Sequence, residues 1–155
     1  MDTIDGLLDY IRDIALDETA KGTAFETLIR KWLVTDPVQR RRFERVQTYA
    51  EWCADRGEIK KDLGTDLVAT FKGGGCAAIQ TKLYQDSAIT KAQLDSFIAD
   101  TGRVDPRTGE KVFAERLFIE TTGRSWSHNL EETIRTADPP FVRIGLSDLR
   151  ASAVD

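Results

Sequence analysis

Two short apolar segments on either side of three consecutive glycines constrain the fold of this chain more than any other feature. Residues 66–71 (DLVATF) and 76–83 (CAAIQTKL) are rich in residues that favour strands, and the glycines at 73–75 separate them. Strand-like segments joined by a short glycine-rich connection are typical of a β-hairpin. The sequence therefore predicts two antiparallel strands in the middle of the chain.

The length of the turn also predicts the register of this hairpin. Directly opposed residues have a constant sum of residue numbers and point to the same face, and a turn closed by residues 71 and 75 sets that sum to 146. Apolar residues then face apolar residues: Leu67 with Ile79, Val68 with Ala78, and Ala69 with Ala77. The same register places Asp66 opposite Gln80 and predicts that Asp66, Gln80 and Lys82 converge on one face.

Apolar periodicity predicts most of the remaining elements. The predicted helices span 3–15, 17–36 with Asp17 as N-cap, 38–56 with a basic edge, 91–99 and 127–135; further strands are predicted at 117–121 and 141–144. This order indicates an α/β or α+β fold, with a mixed β-sheet flanked by helices and an N-terminal helical segment. We expect a single domain over 1–155, mainly helical over 1–60, with the sheet core at 64–149.

Composition excludes several classes of protein. With 22 Lys and Arg against 26 Asp and Glu, the net charge of -4 does not suit binding of polyanions through the overall field of the molecule. Two distant cysteines exclude a zinc finger, and a single histidine excludes an HExxH metalloprotease. No segment approaches the roughly 18 apolar residues of a membrane span or resembles a signal peptide, so we expect a cytoplasmic protein without membrane contact.

The predicted face of the hairpin suits metal-assisted chemistry. A carboxylate (Asp66) and an amide oxygen (Gln80) are ligands for a hard divalent cation, and the ammonium group of Lys82 can stabilise charge on a phosphoryl oxygen. One negative charge would hold Mg²⁺ loosely, so a further acid is needed. Glu26 is the best candidate because it follows Phe25 on the inner side of the second helix.

Each of these residues also has an ordinary structural interpretation. Asp66 can cap the start of a strand, Gln80 can hydrogen-bond the backbone, and Lys82 and Glu26 can be solvated side chains. The basic residues 40–42 and 45 either contact phosphates or pair with Glu44 and Glu51.

The spacing of Asp66, Gln80 and Lys82 resembles the PD-(D/E)xK nuclease superfamily in its Mrr-like branch, where Gln commonly replaces the acid. The segment GTAFE at 22–26 is similar to the part of that branch that carries a helix-borne Glu. Further segments extend the resemblance over most of the chain, from about 22 to 149: GTDLVA at 64–69, AIQTK at 78–82, ITKAQLDSF at 89–97, LFIETT at 117–122 with Trp126 and Asn129 after it, and IGLSDL at 144–149. The series resembles the N-terminal nuclease domain of restriction enzymes that carry a helicase-like ATPase, including Type ISP restriction-modification proteins.

The resemblance implies a metal-dependent endonuclease domain that cleaves double-stranded DNA in restriction or phage defence. Asp66, helped by Gln80, Glu26 and the backbone carbonyl of Ile79, would hold Mg²⁺, for which Mn²⁺ can substitute, and Lys82 would complete the catalytic site. The expected partners are a covalently linked helicase-like ATPase, a methyltransferase domain, and a second nuclease domain that dimerises on DNA. The alternative is a catalytically inactive module of the same fold that binds DNA or docks a motor.

Overall fold

A computed structural model of the chain describes residues 4–14, 17–58, 64–83, 89–122 and 126–151. Its helices are α1 (Ile4–Ile14), α2 (Glu18–Thr35), α3 (Gln39–Arg42), α4 (Tyr49–Asp55), α5 (Lys91–Thr101), α6 (His128–Arg135) and α7 (Leu146–Ala151). Its strands are β1 (Phe43–Thr48), β2 (Leu67–Phe71), β3 (Cys76–Lys82), β4 (Glu115–Glu120) and β5 (Phe141–Ile144). The predicted ends of the first helix, at residues 3 and 15, lie outside the described residues.

The strands form one mixed sheet in the order β1-β2-β3-β4-β5. β1 and β2 pair antiparallel, as do β2 and β3, whereas β3, β4 and β5 run parallel to one another. The parallel pairs require crossovers, which α5 and α6 provide. The predicted α/β architecture with a mixed sheet flanked by helices is confirmed.

A separate hydrophobic core covers each face of the sheet. One face packs against α1, α2 and α7, with buried Leu8, Phe25, Ile29 and Leu149 among the contributors. The other face packs against α4, α5 and α6 through Trp52, Phe97, Phe118 and Leu130. Side chains of adjacent residues in β3 point alternately into these two cores, so each residue packs against one of the two layers of helices. Within the described residues, no helix is both long and apolar enough to span a lipid bilayer.

Local sequence signals set the ends of α2 as predicted. The Asp17 carboxylate accepts a hydrogen bond from the Ala20 N–H at 2.7 Å, which satisfies a donor of the first turn. The helix ends at Thr35, and Asp36 adopts an extended conformation before Pro37. The predicted register of the hairpin is also confirmed from Leu67 to Ala69.

The predicted helix over 38–56 is wrong, because Phe43–Thr48 forms strand β1 between two short helices. The pairing of β1 with β2 shifts by one residue between Phe43 and Arg45. Such a bulge adds a residue to one strand, so Phe43 and Val46 both enter the same core although they are three positions apart. This spacing imitates a helix. The short helix α7 was not predicted from the sequence.

Arg42 has an acidic partner 73 positions further along the chain. Its guanidinium donates to both oxygens of Glu115, at 2.6 and 2.7 Å, and lies 5.0 Å from the centre of the Phe43 ring. This charge-assisted contact connects the end of α3, directly before β1, to the start of β4. Arg42 thus pairs with an acid, but the acid is Glu115, and Glu51 pairs with Arg30.

Burial of the Tyr49 hydroxyl makes stability depend on alkaline pH. Burial, followed by the nearby charge of Asp100, raises the pKa of Tyr49 from 10.0 to about 12. Between these pKa values the native state keeps the proton of the Tyr49 hydroxyl, whereas the unfolded chain releases it. The stability that this difference contributes is therefore complete below pH 10 and is lost as pH rises from 10 to about 12. Tyr49→Phe should lose less stability over this range than the wild type does, measured as the urea midpoint at neutral pH and in the alkaline range. Tyr10→Phe is the control, because Tyr10 is 61% exposed; equal pH dependence of Tyr49→Phe and wild type would contradict the prediction.

Candidate active site

One face of the N-terminal half of α2 forms a wall of the candidate site. Its residues recur at helical spacing and therefore lie on one side of the helix: Glu18, Lys21, Gly22, Phe25 and Glu26. Phe25 is buried and holds this part of α2 against the sheet. Phe25 therefore holds the charged residues of this helix face over the ends of β2 and β3.

The backbone at Asp66 directs its carboxylate towards that wall. The Asp66 N–H donates to the Ile79 carbonyl at 2.8 Å, although Ile79 already pairs with Leu67. Two consecutive residues thus face one residue of β3, which is the pattern of a β-bulge. Ile79 and Leu67 face the core that contains α2, and the bulge turns Asp66 to this side.

Thr81 fixes the orientation of the Asp66 carboxylate. Its backbone N–H donates to Asp66 Oδ2 at 2.8 Å, and its hydroxyl lies 3.3 Å from the same oxygen. Hydrogen bonds to an ionised carboxylate are stronger than those between neutral groups. Asp66 therefore has a defined position before any ligand arrives.

These elements enclose an open pocket of about 250 Å³. Its walls are the face of α2 described above and four residues at the ends of the hairpin: Asp66, Thr81, Lys82 and Leu83. The pocket brings together three of the predicted residues, Asp66, Glu26 and Lys82. It holds three carboxylates, with Glu18 as the third, and two ammonium groups, with Lys21 as the second.

Gln80 lies outside this pocket. It is 4% exposed and packs beneath Gly64, where a Cβ atom would lie 3.0 Å from Gln80 Nε2. Gly64 has φ +96°, so both its backbone and this close contact require glycine. The predicted placement of Asp66 opposite Gln80 is not observed, because the bulge moves Asp66 to the side of Thr81.

Gln80 nevertheless has an unusual environment. Its Oε1 is buried and has no hydrogen-bond partner among the described residues. A buried amide oxygen without a partner is costly, so this atom can accept a hydrogen bond from a group outside the described residues. The other predicted oxygen donor, the Ile79 carbonyl, already accepts from Asp66, and a carbonyl oxygen has a second lone pair.

The donor set fits a hard divalent cation. Asp66 and Glu26 supply carboxylate oxygens at one pocket, and the unpartnered oxygen of Gln80 lies on the same strand as Lys82. Mg²⁺ prefers such oxygen ligands and usually keeps several waters, so few protein ligands suffice. Within the described ranges, no group of three or more His, Cys, Asp or Glu is arranged to hold a metal. The site at this pocket would therefore use the carboxylates of Asp66 and Glu26 together with water, and Gln80 lies outside it.

The structure adds Lys21, Gly22 and Thr81 to the residues around the pocket. Helical spacing could have identified the first two, since Gly22 lies one turn before Glu26. Thr81 could not be identified in this way, because its contact with Asp66 depends on a bulge that leaves no local pattern in the sequence.

Comparison with known proteins agrees with this fold. A solved structure described as an ATP-dependent Type ISP restriction-modification enzyme, LlaBIII, bound to DNA is 29% identical, with a TM-score of 0.73 over 100% of this chain and 9% of that chain. This chain therefore spans about a tenth of the length of that enzyme. MspJI restriction endonuclease in complex with a 27-mer oligonucleotide is 17% identical over 87% of this chain and 31% of that chain, and its TM-score of 0.38 is too low to carry an argument. No curated protein sequence matches significantly.

A family model identifies the chain more directly. The model, described as a restriction endonuclease with an Mrr-type catalytic domain, matches residues 34–155. This range contains Asp66, Gln80 and Lys82, whereas Glu26 on α2 precedes it. Because the match covers well over half of the sequence and the fold agrees, the chain belongs to the restriction endonuclease family.

Proposed function

We propose that this chain is a single nuclease domain that cleaves DNA with the help of Mg²⁺ or Mn²⁺. The observation that carries the proposal is the convergence of Asp66, Glu26 and Lys82 on one open pocket in a chain of the restriction endonuclease family. Each of these residues comes from a different element or strand end, and a carboxylate pair beside a lysine suits phosphodiester hydrolysis. Family membership supports nuclease activity, and the pocket supports the assignment of the residues.

Asp66 and Glu26 would hold the metal ion. Gln80 and the Ile79 carbonyl were expected as further ligands, but neither residue lines the pocket, so water would complete the coordination. When bound, the ion supplies a lowered pKa for a coordinated water and neutralises charge on the phosphate. The Thr81 N–H keeps the Asp66 carboxylate in place, so the Asp66 side chain loses little conformational entropy when a ligand binds. The Asp66 side chain is thus preorganised for its ligand.

Lys82 is proposed to act on the phosphate and the water. Its ammonium group borders the pocket at the end of β3. From there it can orient the attacking water by a hydrogen bond and stabilise the negative charge that develops on the phosphoryl oxygens. The backbone that carries Lys82 is held by the pairing of Lys82 with Glu120 in the parallel strand β4.

The wider setting is proposed from the similarity to the Type ISP enzyme. That enzyme is described as ATP-dependent and bound to DNA, and this chain corresponds to 9% of its length. We propose that the domain acts with a linked helicase-like ATPase and a methyltransferase domain, and that two such domains cut opposite strands of double-stranded DNA. A net charge of -4 supports this view, since weak electrostatic attraction makes a DNA-tracking partner useful.

The metal requirement provides the direct test of this function. We expect the chain to nick and linearise supercoiled plasmid with Mg²⁺ or Mn²⁺, to lose this activity with excess EDTA, and to bind DNA without cutting it in Ca²⁺. The larger, more flexible coordination of Ca²⁺ supports binding but does not reproduce the Mg²⁺ geometry. Gel electrophoresis measures the cleavage, and fluorescence anisotropy of a labelled duplex measures the binding. Efficient cleavage in Ca²⁺ alone, or metal-independent DNA binding without any cleavage, would contradict the proposal; the second result would indicate a docking module.

A further inference from the structure

The α2 wall of the pocket contains a glycine that the fold itself does not require. Gly22 lies in the interior of the helix, where glycine lowers stability relative to alanine. It is not among the glycines with positive φ, and a Cβ atom built on it would meet nothing within 4 Å. Neither the backbone conformation nor packing therefore explains Gly22. Its absent side chain instead leaves the pocket open beside Glu26.

The preceding residue, Lys21, supplies a cation at the same wall. Its ammonium group lies 3.4 Å from Glu18 Oε1, and the Glu18 side chain is 88% exposed. The Lys21 side chain is 27% exposed, but its carboxylate partner is almost fully solvated, so the ion pair contributes little stability and Lys21 can exchange Glu18 for an incoming anion at small cost. The two ammonium groups of the pocket thus come from separate elements, Lys21 from α2 and Lys82 from β3.

We propose that Lys21 and Gly22 bind a backbone phosphate of the DNA strand next to the phosphate that is cut. The inference rests on the proposed function and adds two binding residues to it. The sugar-phosphate chain would pass over Gly22, where the wall has no side chain, and Lys21 would pair with one phosphate while Lys82 acts on its neighbour. A lysine is suited to this task as a mobile point charge.

The test uses variants that separate stability from binding. Gly22→Ala should raise the melting temperature by a few degrees, because alanine favours the helix, yet weaken DNA binding about 3-fold. Gly22→Leu should weaken binding by about 10-fold or more, since its side chain fills part of the pocket. Thr23→Leu is the matched control: Thr23 is the exposed neighbour of Gly22 on α2, and the change adds bulk outside the pocket. All affinities are measured by anisotropy of a labelled DNA duplex in Ca²⁺.

Lys21→Gln tests the phosphate contact through its salt dependence. Losing one phosphate contact should weaken binding roughly 3- to 10-fold and reduce the slope of log affinity against log salt by about 1. Lys31→Gln removes the same charge from an exposed position of α2 outside the pocket, and it should leave the slope unchanged.

Equal effects of Lys21→Gln and Lys31→Gln, or wild-type affinity of Gly22→Leu, would overturn the inference while leaving the proposed function intact. If the wild-type chain neither binds nor cuts DNA, the proposed function fails first, and this inference falls with it. The two failures are therefore distinguishable.

Discussion

Asp66→Asn and Lys82→Met should each lower the rate of DNA cleavage by about 100-fold or more. Asparagine keeps the shape of Asp66 and an oxygen that can accept from the Thr81 N–H, but it removes the charge that a divalent cation needs. Methionine keeps the length of Lys82 and removes its ammonium group. Losses of about 100- to 1,000-fold are usual when a group that stabilises transition-state charge is removed. The measurement is single-turnover cleavage of plasmid DNA in Mg²⁺.

The chain offers a matched control for both changes. Lys91 and Asp95 form an exposed ion pair on α5, with 3.2 Å between Lys91 Nζ and Asp95 Oδ1. Lys91→Met and Asp95→Asn repeat the same chemical changes away from the pocket and should retain near wild-type rates. Circular dichroism verifies that each variant is folded. Equal cleavage by the wild type, Asp66→Asn and Lys82→Met would remove these residues from the active site.

Arg116→Ala should destabilise the fold by about 3 to 5 kcal/mol, which is a large part of the stability of a domain this size. Arg116 is only 2% exposed, and its guanidinium donates to the Thr101 hydroxyl at 2.7 Å, the Pro139 carbonyl at 2.7 Å and the Ile98 carbonyl at 3.1 Å. These bonds connect β4 to the end of α5 and to the segment before β5. Burial lowers the pKa of the Arg116 guanidinium. Alanine would leave a cavity and buried acceptors without their donor.

A second substitution at Arg116 separates these two contributions. Arg116→Met refills most of the volume but provides no donor. Its free energy of unfolding should therefore lie between that of the wild type and that of Arg116→Ala. Arg135→Ala is the control, because Arg135 is 71% exposed and pairs with Glu132 on the surface, where such pairs contribute about 0 to 1 kcal/mol. Urea unfolding measures all three variants. A change below about 1 kcal/mol for Arg116→Ala would show that its hydrogen bonds have no net value.

Patterns that depend on neighbours in sequence predicted the fold well. Three such features depend on residues close together in the sequence and could be predicted: the Asp17 cap, the end of α2 before Pro37 and the pairing of Leu67 with Ile79. Strand β1 was missed because a bulge gives two of its buried residues helical spacing. Bulges are set by pairing with another strand, so the sequence of one strand does not reveal them.

The same limit applies to the site. The sequence identified Asp66, Glu26 and Lys82, and the structure places them at one pocket, but their roles remain predictions. The second bulge, at Asp66, separates it from Gln80, and nothing in the spacing of the hairpin residues indicates this. Long-range contacts such as those of Arg116 could not be predicted from the sequence either, since its partners lie 15 or more positions away.

The bulge in β1 has a consequence for how copies of this protein can associate. β1 and β5 are the two outer strands of the described sheet, and each would expose unpaired backbone groups to a second chain. The irregular pairing of β1, with exposed Glu44 and Arg45 at the bulge, hinders the addition of another strand. β5 has only four residues and directly follows Pro140. Because both outer edges of the described sheet resist strand addition, a continuous sheet shared between two copies of this chain is disfavoured.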